Sequence, residues 1–332
     1  MIAAFCRLML EKYGHPSAIE DGVLAREFAG NFLLSSRPTL LEFRQLCNRL
    51  GIEMEARRLP AEIGAHHYLD RSLGKYRLEY ELEQWVGTAE FKVAHDLYEI
   101  VEETFERVCP GYKAPRNPVL LTCMAPHANK FAAALVMDEE LMRRALVETG
   151  FDVIELHHRF CKAYSAVAIR AVDVLKATET NIQVLIAIYE RSEPERDPSA
   201  WGTGTRGNFR ANYVIYTPGV RISRKRWRID SPRYPRHALP RTGDDVVPGG
   251  LVDQVICFSK PVYVERVWGF DLWGFNDLVV LGVPVYWHLS RISGTVLAKV
   301  ILTVMPYEQA DLLTPQLRRL QPATMPERFQ FV

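Results

Sequence analysis

The sequence lacks paired cysteines and long apolar runs. Its six cysteines are scattered singly through 332 residues with no CxxC spacing. They give no indication of a zinc ribbon or a disulfide framework, and we expect a reducing cytoplasm. The longest apolar runs, residues 131–137 and 278–287, are too short or contain Gly and Pro, so we expect no membrane-spanning helix. The first residues place Arg7 inside an apolar stretch without a small-residue cleavage site, so we expect no export signal.

An excess of either charge is also missing. The 41 Lys and Arg residues oppose 40 Asp and Glu residues, for a formal net charge of +1. This balance excludes a globally basic nucleic-acid binder but leaves room for a local basic patch. The densest basic segment holds Arg224, Lys225, Arg226 and Arg228 around Trp227. It could follow a nucleic-acid backbone or hold an anionic ligand. We favour an exposed loop whose arginines pair with acidic residues of the first half.

The first half of the chain has mainly helical periodicity around a small predicted sheet. Thr39 is a suitable N-cap for a helix over residues 40–50, and Gly51 is a suitable stop. Short segments bounded by turn residues predict three strands at residues 52–59, 63–69 and 75–82. Further helices are predicted at residues 1–12, 18–34, 88–108, 126–137 and, as a pair with a turn between them, 152–176.

Beyond residue 178 the pattern changes to β-branched runs of strand length. Residues 192–208 are rich in Pro, Gly and charge, which predicts a loop. Strands are predicted at residues 182–189, 213–216, 255–258, 262–268, 278–287 and 296–305. These elements predict an α+β or α/β module of sensory type over residues 180–332.

One helical stretch carries the residues with chemistry. Within residues 88–99, His95 and Glu99 are four apart and therefore share one face of the predicted helix. Metallopeptidases with an HExxH motif hold zinc with a pair at this spacing. A glutamate between the ligands is their general base, and a third ligand comes from another helix.

The segment resembles the ImmA/IrrE family of zinc peptidases, and the likeness covers about residues 15–176. The family carries an F-x-x-A-H-E-x-x-H helix followed by A-N-x-F-A-A-x-L. The residues that match these motifs are Phe91, Ala94, His95, Ala128, Asn129, Phe131, Ala132, Ala133 and Leu135.

The resemblance implies an α+β chain of three parts. Residues 1–150 would form a zincin-like helical lobe with a small three-stranded sheet, residues 151–180 a helix-turn-helix-like extension, and residues 181–332 a GAF-like α/β domain. It also implies a cytoplasmic stress-response regulator, with zinc-dependent cleavage of a helix-turn-helix repressor or another partner protein.

The chain departs from the family motif at several positions. Residues 95–99 read HDLYE where the family has HExxH, so the base is an aspartate and the second histidine is a glutamate. The family's third ligand, an acidic residue, stands just before the Ala-Asn pair, but residues 123–127 read CMAPH.

Two interpretations of these departures remain open. In the first, the ligand set is permuted: His95, Glu99 and His127 bind zinc, and Asp96 is the general base. In the second, the site has decayed and the chain is a pseudo-peptidase that binds a protein or a small ligand. A transcription regulator that binds DNA through its basic segment is a third class.

Other polar residues near this stretch have simpler explanations. Glu102 and Glu103 are alternatives to Asp96 for positioning a metal-bound water, although such residues most often form a solvated helix face. His66 and His67 are adjacent, and neighbours in a strand point in opposite directions, so they do not form a shared site by themselves. Either histidine could still border the cleft.

Overall fold

A computed structural model describes residues 1–60, 64–115, 125–177, 181–191, 209–217, 229–231, 234–237, 242–246, 249–272, 275–289 and 294–320. The predicted binding residues Arg224, Lys225, Arg226 and Arg228 lie outside these ranges. In the described ranges, no helix combines the length and the apolar character that a membrane crossing needs.

The described residues form an α+β architecture, which confirms the predicted fold class. The helices are α1 (Ile2–Tyr13), α2 (Asp21–Phe32), α3 (Leu40–Leu50), α4 (Val86–Val108), α5 (Ala125–Val136), α6 (Glu139–Thr149), α7 (Val153–Phe160), α8 (Tyr164–Ala177), α9 (Leu251–Phe258) and α10 (Thr314–Leu320). The strands are β1 (Glu53–Arg57), β2 (Ala65–Asp70), β3 (Lys75–Glu81), β4 (Leu185–Arg191), β5 (Phe209–Tyr216), β6 (Ile229–Ser231), β7 (Tyr234–His237), β8 (Val262–Leu272), β9 (Phe275–Leu289) and β10 (Gly294–Pro306).

The chain divides into two compact units. One contains Met1–Met142 and His157–Arg170, and the other contains Arg143–Leu156 and the described residues from Ala171 onward. The first unit includes a three-stranded sheet in the order β1-β3-β2, with β1 parallel and β2 antiparallel to β3. The domain boundaries expected at residues 150 and 180 stay predictions.

Helix α3 begins and ends where the sequence predicts. The Thr39 hydroxyl accepts the backbone N–H of Glu42 at 3.3 Å, and the Glu42 carboxylate accepts the backbone N–H of Thr39 at 2.9 Å. This reciprocal capping satisfies two donors at the helix start. Gly51 follows the helix with φ of +74°, the left-handed conformation that glycine adopts without strain.

Helix α4 is the central element of the first unit. It contacts α1, α3, α5, β2 and β3. Its apolar residues Val93, Ala94, Leu97, Ile100 and Val101 are fully buried. Because neighbours surround the helix on several sides, several of its carboxylates are buried with them.

The link between α7 and α8 packs directly on the first turns of α4. A Cβ added to Gly87 would lie 1.9 Å from the carbonyl oxygen of Cys161, so only glycine fits there. The next residue of the link, Lys162, forms a buried ion pair with Glu90. The second oxygen of Glu90 accepts the backbone N–H of Leu40 at 3.2 Å, which joins the start of α3 to the same point.

The second unit contains a five-stranded sheet in the order β5-β4-β10-β9-β8, with every pairing antiparallel. Successive residues of β4 point to opposite faces of the sheet, and both sets are buried. Leu185 and Ala187 lie on one face, and Ile186 and Ile188 lie on the other.

Residues 255–258, predicted as a strand, form the end of helix α9, so this prediction is wrong. A Cβ on Gly282 of β9 would lie 2.8 Å from side-chain atoms of both Leu251 and Val255. These residues are one helical turn apart and pack on the sheet at that point. A short apolar run has no periodicity that separates a strand from a buried helix, and this tertiary contact decides the outcome.

Helix α8 follows α7 after a three-residue link, the spacing expected for a helix-turn-helix. Among residues 164–176, however, Lys176 is the single exposed residue. A recognition helix presents a row of side chains to a DNA groove. The helix-turn-helix-like extension at residues 151–180 stays a prediction.

We predict that Gly87→Ala destabilises the protein strongly. The new methyl group would overlap the Cys161 carbonyl oxygen, so the link must move away from α4, at a cost of about 2 kcal/mol or more. Urea unfolding measures the change in the free energy of unfolding.

Gly30→Ala in α2 is the matched control for this prediction. No atom of the described residues lies within 4 Å of its added Cβ, so the change should stabilise the helix by about 1 kcal/mol or less. Equal effects of the two substitutions would contradict the proposed steric cause.

Candidate metal centre

Strand β2 and helix α4 supply the polar residues of the site. His67 pairs with Leu78 of β3, and Leu78 is fully buried. The His67 side chain faces α4. The preceding residue, His66, points to the other face of the sheet, where its Nε2 lies 3.4 Å from Glu79 Oε2. Strand alternation therefore gives the two adjacent histidines different surroundings.

The His67 imidazole faces three carboxylates of α4. Its Nδ1 lies 3.5 Å from Asp96 Oδ1 and 3.7 Å from Glu99 Oε2, and its Nε2 lies 3.4 Å from Glu103 Oε1. Donor atoms of His67, Asp96 and Glu99 all lie within 4.8 Å of one another, and we call these three residues the His67 centre. The remaining Asp96 oxygen, Oδ2, is buried and has no hydrogen-bond partner in the part of the chain that the structure describes.

Opposite charges inside the centre shift the pKa values of its members. Burial lowers the pKa of His67, but contacts with Asp96 and Glu103 outweigh this effect and raise the pKa to about 10. Burial raises the pKa of Asp96, yet His67 and His95 bring it below its ordinary value. Burial also raises the pKa of Glu99. Without a metal, His67 is a cation at neutral pH, and a metal ion at Nδ1 would displace its proton.

The structure brings together some of the residues predicted as the site. His95 adjoins the His67 centre, with its Nδ1 3.8 Å from Asp96 Oδ1 and 3.9 Å from Glu99 Oε1. His127 instead has its Nδ1 3.1 Å from Asp21 Oδ2, and its side chain is 45% exposed. Among the described residues, the group that could hold an ion does not include His127. The zinc-ligand roles of His95, Glu99 and His127 and the base role of Asp96 stay predictions.

Sequence reasoning did not select His67 as a ligand. The signal that separates it from His66 lies in β3, where apolar Leu78 and Tyr80 alternate with charged residues. Pairing of the strands places His67 opposite Leu78, and hence on the face that is buried against α4. Because this inference needs the register between two strands, the local sequence of β2 alone does not provide it.

A second polar group involves α2, α4 and α5. The Asp21 carboxylate contacts His127 and accepts a hydrogen bond from the Tyr98 hydroxyl. Nearby, the buried Glu102 carboxylate accepts a hydrogen bond from the Tyr112 hydroxyl. Burial, reinforced by the charge of Asp21, raises the pKa of Glu102 to about 7.

We predict that Glu102 makes the protein less stable as the pH rises from about 4.5 to 7. In this window the folded protein keeps a proton on Glu102 that the unfolded chain releases, so the free energy of unfolding falls with increasing pH. The raised pKa corresponds to a loss of up to about 3 kcal/mol.

Glu102→Gln should remove this part of the slope and raise stability at pH 8, since the amide carries no charge to bury. Urea unfolding of both proteins at pH 5 and pH 8 measures the difference. Parallel pH profiles for the parent and the variant would contradict the prediction.

Comparison with known proteins gives a likeness in fold. No protein-family profile and no curated protein matches the chain. A solved structure of a Mycobacterium tuberculosis transcriptional regulator is similar, with a TM-score of 0.56 and 12% sequence identity. The match covers 95% of this chain and 85% of that one. At this identity the likeness concerns the fold.

Proposed function

We propose that the chain is a regulatory protein that binds a divalent metal ion at the His67 centre, with zinc as the ion that the ImmA/IrrE resemblance implies. The observation that carries this proposal is the buried Oδ2 of Asp96, which has no hydrogen-bond partner among the described residues. Such an atom costs about 1–3 kcal/mol or more. A buried oxygen without a partner needs an explanation in a native structure, and a bound metal ion is one such explanation. The side chain is 7% exposed, so bulk water does not satisfy it.

The residues of the centre fit a zinc ion. Two ligands about 2.1 Å from a tetrahedral zinc ion lie about 3.4 Å apart. The observed distances from His67 Nδ1 are 3.5 Å to Asp96 Oδ1, the other oxygen of the carboxylate that carries Oδ2, and 3.7 Å to Glu99 Oε2. Catalytic zinc sites commonly use three nitrogen and oxygen ligands and keep a fourth position open. His95 adjoins the group and is the nearest additional imidazole on α4.

The regulatory part of the proposal rests on two likenesses. The ImmA/IrrE resemblance implies a stress-response role, and the similar solved structure is that of a transcriptional regulator. We propose a protein partner in the cytoplasm, with a helix-turn-helix repressor as the kind that the resemblance implies. Nucleic-acid binding through the basic segment at residues 224–228 is the alternative.

Peptide hydrolysis is a second candidate for the same centre. Zinc supplies a Lewis acid and lowers the pKa of a bound water. The observation that favours hydrolysis is the position of β2 at the edge of its sheet, where an extended peptide could pair beside His67. Asp96 would then be the base, although the same carboxylate belongs to the ligand set.

We predict that the purified protein retains a single zinc ion per chain after gel filtration. Free zinc at 100 times its dissociation constant should raise the free energy of unfolding by about 2.7 kcal/mol. His67→Ala and Glu99→Gln should lose both effects because each removes a ligand. Metal analysis and thermal unfolding measure these outcomes.

His66→Ala is the matched control, since it removes the same side chain one residue earlier and on the other face of the sheet. It should keep both the ion and the stabilisation. A parent protein that retains no zinc, or a His67→Ala variant that retains as much as the parent, would refute the proposal.

We predict that the hydrolytic candidate, if correct, gives zinc-dependent cleavage of fluorescein-labelled casein. Asp96→Asn should abolish this cleavage because the amide neither takes a proton from water nor supplies an anionic ligand to zinc, and His66→Ala should preserve it. A zinc-saturated parent that leaves casein intact removes this candidate and leaves metal binding standing.

A further inference from the structure

We infer that Glu103 is a positioning residue that fixes which nitrogen of His67 binds the metal; this inference rests on the metal binding proposed above. The two ring nitrogens have different surroundings. Nδ1 faces Asp96 and Glu99, whereas Nε2 faces the Glu103 carboxylate at 3.4 Å. The Nε2–H group donates to Glu103, and Nδ1 is left to the metal.

Glu103 is itself held in place from the far side. The Tyr76 hydroxyl donates to Glu103 Oε2 at 2.6 Å. Arg107 donates from Nη2 to the Tyr76 oxygen at 2.6 Å and from Nε to the backbone carbonyl of Glu103 at 3.1 Å. The Glu103 side chain is 36% exposed, and without these contacts it would be free to change rotamer.

These contacts place the metal on one side of the ring. Glu103 Oε1 faces His67 and Oε2 is taken by Tyr76, so both oxygens have partners. Asp96, on the Nδ1 side, has an oxygen, Oδ2, with no partner among the described residues, so the carboxylate that is open to a metal lies on that side. Metal-binding histidines usually donate their other ring N–H to a carboxylate or carbonyl. Loss of that partner typically weakens metal binding 10- to 100-fold.

The test combines zinc affinity with nitrogen NMR of the full chain. In the zinc-loaded parent, the ¹⁵N shifts of His67 should show zinc on Nδ1 and a proton on Nε2. Glu103→Ala should weaken zinc binding about 10- to 100-fold and lose the single tautomer. Glu103→Gln keeps an acceptor oxygen, so it should retain the tautomer with a smaller loss. Tyr76→Phe should also give a smaller loss.

Glu79→Ala is the matched control, because Glu79 makes the same 3.4 Å contact with His66 on the other face of the sheet. It should leave the zinc affinity and the His67 shifts unchanged. Circular dichroism checks that each variant folds, and Glu103→Gln and Tyr76→Phe decide the question if Glu103→Ala does not fold.

The outcomes separate this inference from the proposed function. Zinc bound through Nε2, or unchanged affinity and tautomer in the Glu103 variants, overturns the positioning role while metal binding stands. A parent that binds no zinc overturns both. Weakened binding with a lost tautomer, restored in Glu103→Gln, supports the inference.

Discussion

The burial of carboxylates on α4 is the constraint on which the rest of the first unit depends. Asp96 and Glu102 are buried, and Glu99 and Glu103 are partly buried, on two turns of a helix that contacts three helices and two strands. Transfer of a carboxylate out of water is unfavourable unless a cation, a hydrogen-bond donor or a proton compensates it. Each of these side chains therefore needs a partner from the elements packed around α4.

The two sides of α4 meet this need in different ways. On the sheet side, β2 supplies His67, whose positive charge keeps the pKa values of Asp96 and Glu103 low. On the side of α2 and α5, burial raises the pKa of Glu102, and the Tyr112 hydroxyl donates to its carboxylate. The first arrangement keeps anionic oxygens beside an imidazole, as metal binding requires. The second arrangement neutralises the Glu102 carboxylate with a proton at mildly acidic pH. Glu102 therefore affects the stability of the protein rather than metal binding.

The sequence predicts those parts of the fold that local signals specify. Thr39 and Gly51 mark the ends of α3 because capping depends on neighbouring residues. The i, i+4 spacing correctly places His95 and Glu99 together because both lie on one helix. His67 is different: its approach to α4 depends on the register of β2 with β3, which is a tertiary property. The strand predicted at residues 255–258 fails for a related reason, since packing on Gly282 determines that this apolar run is helical.

Two carboxylates of α4, those of Asp96 and Glu99, set the electrostatics of the His67 centre. Glu99 lies one helical turn after His95 and adds its negative charge to that of Asp96. The imidazole of His67, from a neighbouring strand, compensates this added negative charge. Two carboxylates and a neutral imidazole would cancel both charges of a divalent ion, whereas the single carboxylate of a His₂Glu site leaves one positive charge uncancelled. An ion whose charge is fully cancelled polarises its bound water less, since the field of the ion is what lowers the pKa of that water. The donor set of this chain therefore favours holding a metal over activating a water, which is why we place metal-dependent regulation ahead of hydrolysis.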